Sequence, residues 1–394
     1  MLDLGEAQRR VLDSIRPLGV ERVPLEDCVG RVLAVDVVAN VNLPGFDYSA
    51  MDGYAIHTDD AGSDRRVIGE SKAGGGLPPK LERGTAMRIF TGAPIPDGAD
   101  AVVMQEDTEK QGDRVRITSA PRAGEHVRRA GEDLAKGAVA LSRGTRLRAT
   151  HVPLLAALEV VRPCVHRRPV VTVLATGDEL REPGQPSRPG TIVETNGLAI
   201  AAMARAAGAT ARLLPIAIDE PTALRAALVD ALDGAEIVFT IGGVSVGDHD
   251  LVKPALEAIG VTLDFWKVSI KPGKPLAVGT RGATKVLGLP GNPVSAMITF
   301  LLFGAPLIRA LSGDAHPMPR RTRARLGAAL HHHPGRTELV RAKLDDDGGE
   351  VVATPLPSQS SGSLVSMAWA DALIVVDKES TGIPAGSSVE ILGL

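Results

Sequence analysis

The strongest constraint on the fold begins near residue 167, where uninterrupted apolar runs alternate with helical segments. RRPVVTVLATGDE (167–179), ARLLPIAIDE (211–220) and EIVFTIGG (236–243) read as strands, and TNGLAIAAMARAAGA (195–209), PTALRAALVDALDG (221–234) and DLVKPALEAIG (250–260) as helices. Strands that are apolar throughout must be buried on both faces. That calls for a doubly wound, mostly parallel sheet with helices on each side. VTLDFWKV, PLAVGT and KVLGLPG follow, and then a long apolar segment from Pro293 to Ile308. Ser295, Thr299, Gly304 and Pro306 interrupt that segment, so it predicts a buried helix rather than a membrane span. Right-handed crossovers place the strand-to-helix loops on one edge of the sheet.

The residues at that edge carry the chemical signal. The loops read Thr176-Gly177-Asp178-Glu179, Asp219-Glu220, Gly242-Gly243-Val244-Ser245-Val246-Gly247-Asp248-His249-Asp250, Lys271-Pro272-Gly273-Lys274-Pro275 and Leu289-Pro290-Gly291-Asn292-Pro293. Glycines allow backbone N–H groups to approach an anion closely, which suits a phosphate-type ligand. Carboxylates on the same edge would repel a bare polyphosphate, so a hard divalent cation such as Mg²⁺ is the natural mediator, with Lys271 and Lys274 adding positive charge. Taken singly, each loop reads as a turn or an N-cap; five of them on one edge do not. Neither a P-loop nor a dinucleotide fingerprint is present.

The rest of the chain divides by composition. Residues 1–40 open with a helix whose stripe is Leu4, Val11, Leu12 and Ile15, too charged for a signal peptide or membrane anchor. The run Val32–Val38 reads equally as strand or short helix. Residues 41–134 are Gly- and Pro-punctuated with short β-type runs at 87–90, 101–105 and 115–118, which predicts a small inserted β domain. Residues 135–166 contain a strand and a helix capped by Thr150, and rejoin the first segment as a discontinuous helical domain. The α/β domain spans 167–317, and a C-terminal β domain 318–394. With 44 Lys+Arg against 47 Asp+Glu and 3% aromatics, the chain has neither the basic field nor the stacking platform of a nucleic-acid binder. Its two cysteines, Cys28 and Cys164, read as buried thiols of a cytoplasmic protein.

The strings PGFDYSAMDGYA (44–55), TGAPIPDGADAVVMQED (91–107), RRAGEDL (128–134), TGDEL (176–180), GGVSVGDHD (242–250), KPGKP (271–275) and LPGNPVSA (289–296) resemble the molybdopterin molybdenumtransferase family, which includes the E domain of gephyrin. The resemblance is collinear over nearly the whole chain and thins after about residue 317. It implies a discontinuous helical domain, an inserted β domain, a molybdopterin-binding α/β domain and a C-terminal β-barrel-like domain in a homodimer. It also implies an activity: adenylylated molybdopterin and molybdate as substrates, Mg²⁺-dependent cleavage of the phosphoanhydride and release of AMP, with a molybdopterin adenylyltransferase acting upstream.

Carried over by the resemblance, Glu179, Asp219 and Asp250 hold the metal or orient the pterin phosphates, Glu179 and Asp250 being the metal ligands. Thr176, Gly177, Asp178, Gly242, Gly243, Ser245, Gly247, Pro290, Gly291 and Asn292 line the pterin pocket. Lys271, Lys274 and Ser295 meet the anion to be inserted. Asp52, Thr91, Glu132 and Asp133, on the inserted domain, complete the pocket of the opposite subunit. Arg336 and Ser361 match C-terminal contributions to the molybdate site across a gapped alignment. Tyr48 stands where the family usually has Asn, and Asp248 where it has Glu. Arg128 and Arg129 read as a solvated basic pair or as an anion contact. His331, His332 and His333 alternate between faces of a strand, which predicts exposure rather than a metal site. Molybdate insertion, a tungstate-specific paralogue and a pterin-binding scaffold all remain open at this level.

Overall fold

The computed structural model describes residues 1–243 and 251–394, the side chains of residues 265 and 266 excepted. Ser245, Gly247, Asp248, His249 and Asp250 therefore lie outside the described residues. The chain divides into two compact units, one of residues 1–34, 144–148 and 164–394, the other of 35–143 and 149–163.

The first unit is built on a six-stranded mixed sheet. Its strands are β1 (Val170–Ala175), β2 (Thr210–Leu213), β3 (Ile237–Ile241), β4 (Thr262–Lys267), β5 (Pro275–Arg281) and β6 (Thr284–Leu289), in the spatial order β2-β1-β3-β6-β5-β4. The first four in that order are parallel, while β5 runs antiparallel to both β6 and β4. Alternate residues show why the apolar runs are continuous. Val171, Val173, Ile237, Phe239, Leu287 and Leu289 pack into one core, and Leu174, Val238 and Val286 into a second core on the other face. Helix α1 (Leu4–Leu12) and helix α2 (Asn196–Ala207) cover the first face, and α3 (Pro221–Leu232) and α4 (Val252–Ala258) the second.

The long apolar segment is helical from Pro293 to Leu311 and is 78% buried over its most apolar window. Its length and composition would suit a membrane, but it packs in the first core: α5 (Pro293–Thr299), a π turn at Phe300–Gly304, and α6 (Ala305–Leu311). The Phe300 ring meets Phe239 edge-on at 5.2 Å, a pairing worth about 0.5–1.5 kcal/mol beyond its buried area. Gln8 of α1 donates to the Leu302 carbonyl within the π turn at 3.0 Å, supplying a partner where the helical ladder slips.

Beyond the helix, β7 (Arg321–Leu326), β8 (Thr337–Asp347), β9 (Glu350–Pro355), β10 (Ala372–Val376) and β11 (Ser388–Gly393) close on themselves in the order β8-β9-β7-β11-β10-β8. This is a five-stranded barrel with no open edge along that circuit. Ile270–Lys271 adds to the start of β8 as a parallel pair, so the Lys-Pro-Gly-Lys-Pro loop is tied to the barrel.

The second unit centres on a six-stranded sheet that includes Gly53–Ile56, Asp64–Ser71, Thr85–Ile89 and Ala101–Met104. Two short ladders flank it: Tyr48–Ser49 with Val127–Arg128, and Val37–Val38 with Val139–Leu141. Thr150 does not cap a helix. Ala149–His151 form a 3₁₀ turn, and the helix Val152–Ala157 that follows has no side-chain cap. Pro153 in its first turn removes one of the N–H groups a cap would serve. Cys28 is buried, and burial pushes its thiol pKa up; Cys164 is only half-buried, and both are free.

Candidate active site

The edge of the first unit holds two cavities. The hairpin geometry explains their proximity: because β5 is antiparallel to β6, its first residue Pro275 lies at the level where β6 ends in Leu289. The lysine loop thus reaches the edge from which Thr176, Gly242 and Pro290 emerge. One cavity, about 340 Å³, is lined by Thr176, Glu179, Glu194, Asn196, Gly242 and Gly291 among others. The second, about 270 Å³, is lined by Lys271, Lys274, Ser295, Arg336, Arg341 and Ser361 among others. Pro293 belongs to the first wall and Ser295 to the second, so the first turn of α5 separates the two.

Glu179 lines the first cavity, and beside it, outside the lining, the Asp178 and Asp219 loops are joined to each other. The Asp219 N–H donates to Asp178 Oδ1 at 3.0 Å. Burial, then the charges of Asp178 and Glu179, raise the Asp219 carboxyl above its ordinary pKa. Glu220, next in sequence, is a helix cap: its carboxylate accepts from the N–H groups of Thr222 at 3.0 Å and Ala223 at 2.7 Å. Among the described residues no three His, Cys, Asp or Glu side chains are arranged to hold a metal ion. Gly177 is buried beneath the Glu179 carboxylate, Gly243 and Pro290 are at the strand ends, and Asn292 is exposed. Two lining residues were not anticipated from sequence. Glu194 is 4% exposed and accepts from the Gly197 N–H at 2.6 Å, and Asn196 donates to the Gly291 carbonyl at 2.7 Å.

The second cavity is cationic. Lys271 and Lys274 are exposed, Arg336 and Ser361 half-buried, and Ser295 buried. Gly273, between the lysines, has φ +104°, and a Cβ there would meet Thr299 Oγ1 at 2.6 Å. The loop therefore needs glycine on both counts. Lys271 is not left bare: its Nζ lies 2.8 Å from Glu338 Oε1. The other oxygen, Oε2, accepts from His332 Nδ1 at 2.8 Å. Burial pushes the Glu338 carboxyl up, but hydrogen bonds from Lys271 and His332 and the Lys271 charge bring it below the usual range, so it is ionised. His331 and His333 are exposed, whereas His332 is 7% exposed and belongs to this group. Alternation was legible in the tripeptide. The buried partner of its middle residue was not, because Glu338 arrives from the barrel strand β8. The segment carrying Arg336 is fixed by Ser269, whose Oγ donates to the Gly335 carbonyl at 2.7 Å and whose carbonyl accepts from the Thr337 N–H at 2.9 Å.

In the second unit, Asp52 and Thr91 come together. Asp52 Oδ1 accepts from the Thr91 N–H at 2.7 Å and Oγ1 at 2.8 Å, and these bonds lower its pKa. Glu132 instead accepts from Arg128 Nη1 at 2.6 Å and the Arg129 N–H at 3.0 Å, and Arg129 pairs with Asp47 at 2.6 Å. Arg128 and Arg129 are thus exposed but paired. Asp133 is exposed, held by its N–H on the Leu43 carbonyl at 3.0 Å. Tyr48 is half-buried, its ring edge-on to Phe46 at 6.4 Å. Gly53, beside Asp52, faces the neighbouring strand so closely that a Cβ would overlap the Val103 carbonyl. Gly53→Ala should therefore destabilise this unit by roughly 2–4 kcal/mol through forced backbone movement. Differential scanning calorimetry that finds the Tm unchanged would show that the strands separate without cost.

Three family models match the chain: the MoeA N-terminal region (domains I and II) over residues 2–158, a probable molybdopterin binding domain over 172–310, and the MoeA C-terminal region (domain IV) over 323–394. The chain is similar to molybdopterin molybdenumtransferases of Haemophilus influenzae, 35% identical over 99% of this chain and 98% of that one, and of Nostoc, 39% identical over 95% and 88%. Its fold is similar to the crystal structure of a molybdopterin biosynthesis MoeA protein from Pyrococcus horikoshii OT3, with TM-score 0.87 and 30% identity over the full length of both chains. With cationic and acidic cavities adjacent on one sheet edge and these likenesses spanning the chain end to end, the protein belongs to the molybdopterin molybdenumtransferase family.

Proposed function

We propose that the chain inserts molybdate into adenylylated molybdopterin and releases AMP. Molybdenum cofactor biosynthesis and transferase activity follow from the family. The observation that carries the finer reading is the pair of adjoining cavities, one acidic and glycine-lined, the other cationic. In the first, Thr176, Gly242 and Gly291 present small residues and backbone to the pterin phosphate. Lys274 and Arg336 hold the oxyanion in the second, with the Ser295 and Ser361 hydroxyls as neutral donors. Lys271, oriented by Glu338, keeps its ammonium at the same wall. The shared turn of α5 brings the dithiolene end of the pterin within reach of the oxyanion.

The donor set at the first cavity is one of hard oxygens, which suits Mg²⁺, and the raised pKa of Asp219 is relieved by a cation. Glu179 and Asp219 would hold it together with Asp250. When bound, the ion neutralises charge on the phosphoanhydride. A homodimer in which Asp52 and Thr91 serve the partner's cavity is part of the proposal, supported by the placement of these residues in a unit separate from the phosphate loops. Free Cys28 and Cys164 support a reducing compartment, the cytoplasm.

The direct test incubates the protein with adenylylated molybdopterin, Mg²⁺ and either molybdate or tungstate and follows AMP. Release with molybdate supports the reading; release with tungstate alone assigns the other oxyanion, and release with neither removes the activity. Within that assay, Lys274→Gln should raise the molybdate concentration for half-maximal rate by roughly tenfold, the scale of one charge-assisted hydrogen bond, with pterin affinity little changed. Equal losses for both ligands would assign Lys274 to the pterin phosphate.

A further inference from the structure

The acidic cavity holds a second carboxylate, one with no part in the cation site. Glu194 lines it and is 4% exposed, whereas Glu179 is exposed. The backbone delivers it there. The short parallel pair of Leu180–Arg181 with Ile192–Val193 ends at Glu194, whose N–H donates to the Arg181 carbonyl at 2.9 Å. Gly197 leaves room for the side chain: a Cβ there would meet Leu213 Cδ1 at 2.9 Å and Glu194 Oε2 at 3.1 Å. Oε1 accepts from the Gly197 N–H at 2.6 Å, and Oε2 accepts from no group among the described residues.

Helix capping does not account for this placement. Glu220 caps α3 with both oxygens from an exposed position, whereas Glu194 commits one oxygen and is buried. A buried carboxylate is costly unless donors or cations meet it. Among the described residues, no lysine, arginine or histidine lines this cavity and none pairs with Glu194. Its walls instead combine apolar side chains, Leu180, Ile192 and Ile241, with further acceptors: Glu179, and Oδ1 of Asn196, whose Nδ2 is spent on the Gly291 carbonyl. Such a pocket suits a flat ligand that brings its own N–H donors. A pterin does so. Its 2-amino-4-oxopyrimidine edge carries the N3–H and a 2-amino N–H side by side, at the spacing of the two oxygens of a carboxylate.

We infer that Glu194 is the specificity-determining residue for the pterin, its Oε2 and the remaining lone pair of Oε1 accepting from the N3–H and the 2-amino group. The inference rests on the reading of this cavity as the molybdopterin site, and it gives the substrate a direction there. The pyrimidine edge lies at Glu194, and the phosphate at Gly242 and Gly291, where the strand ends present backbone. A lumazine has a carbonyl in place of the 2-amino group. It would set that oxygen against the carboxylate and be rejected.

Three measurements on the full chain test it. In NMR titrations the wild-type protein should bind 6-hydroxymethylpterin at least about tenfold more tightly than 6-hydroxymethyllumazine, the scale of one charge-assisted hydrogen bond exchanged for a repulsion. Glu194→Gln keeps an oxygen for the Gly197 N–H but adds an amide N–H₂, which suits an N3–H beside a 2-carbonyl. Its preference should fall to within about twofold or turn toward the lumazine. Because the ratio is read within one variant, a loss of stability does not imitate it. Adenylylated molybdopterin should bind Glu194→Gln at least about tenfold more weakly than wild type, with molybdate binding within about twofold. A full preference for the pterin retained in Glu194→Gln would overturn the inference and leave the reading of the cavity standing. Failure of the wild-type protein to bind either the pterin or adenylylated molybdopterin would overturn that reading as well. If the variant does not fold, wild-type crystals soaked in 6-hydroxymethylpterin decide the matter. A 2-amino nitrogen within hydrogen-bond distance of the Glu194 carboxylate is the expected result, and a ring in the cavity with that edge turned away from Glu194 removes the residue from pterin recognition.

Discussion

Glu179→Ala should lower the rate of AMP release by roughly a hundred- to a thousandfold, the scale on which removing one group that meets transition-state charge is felt. The same variant should need more Mg²⁺ for half-maximal rate. The physical ground is the crowding of charge on this edge: burial and the charges of Asp178 and Glu179 already raise the Asp219 carboxyl. Adding a phosphoanhydride brings further negative charge to the same place, and only a cation relieves it. Glu220→Ala supplies the control, because that carboxylate is spent on the N–H groups of Thr222 and Ala223. It should lower the Tm by removing the cap and leave the metal requirement alone. A Glu179→Ala enzyme with wild-type rate and wild-type Mg²⁺ dependence would remove this carboxylate from the site.

The contrast between Glu179, Asp219 and Glu220 also marks what a sequence can and cannot disclose. The sheet was legible because its strands obey a local rule: Ile237, Phe239 and Ile241 bury one face while Val238 buries the other, so the run carries no polar residue except Thr240. Once the sheet is known, the edge loops follow from chain direction, and Thr176, Gly242 and Gly291 do line one cavity. The other cavity depends on pairings between distant segments. Lys271 meets Glu338 only because Ile270–Lys271 pairs with the start of β8, and Arg341 is buried only because β8 closes a barrel with β9 and β10. No periodicity within RTELVR announces either event. His332 was hidden for the same reason, its exposed neighbours His331 and His333 being the ordinary case for a polar tripeptide on a strand. Thr150 failed differently: a good capping residue stands one position before the N-cap, which is His151, and Pro153 lessens the need for any cap.

Co-expression of an Asp52→Ala subunit with a Lys274→Ala subunit should restore activity that neither variant has alone. Asp52 is ionised and fixed by Thr91, which is how a carboxylate is held when its position matters, yet its unit contains none of the phosphate or lysine loops. In a two-fold dimer each of these units can serve the partner's cavity, and the same contact then occurs twice. One pocket of a mixed dimer would carry both substitutions and the other neither. Random pairing makes about half the dimers mixed, so roughly a quarter of all pockets should be intact. AMP release near a quarter of the wild-type rate, with heterodimers confirmed by native mass spectrometry, is the expected result. Within-chain assembly predicts the opposite, because each pocket would then contain one damaged residue whatever its neighbour carried. Confirmed heterodimers with no more activity than the separate variants would therefore place Asp52 in the pocket of its own chain.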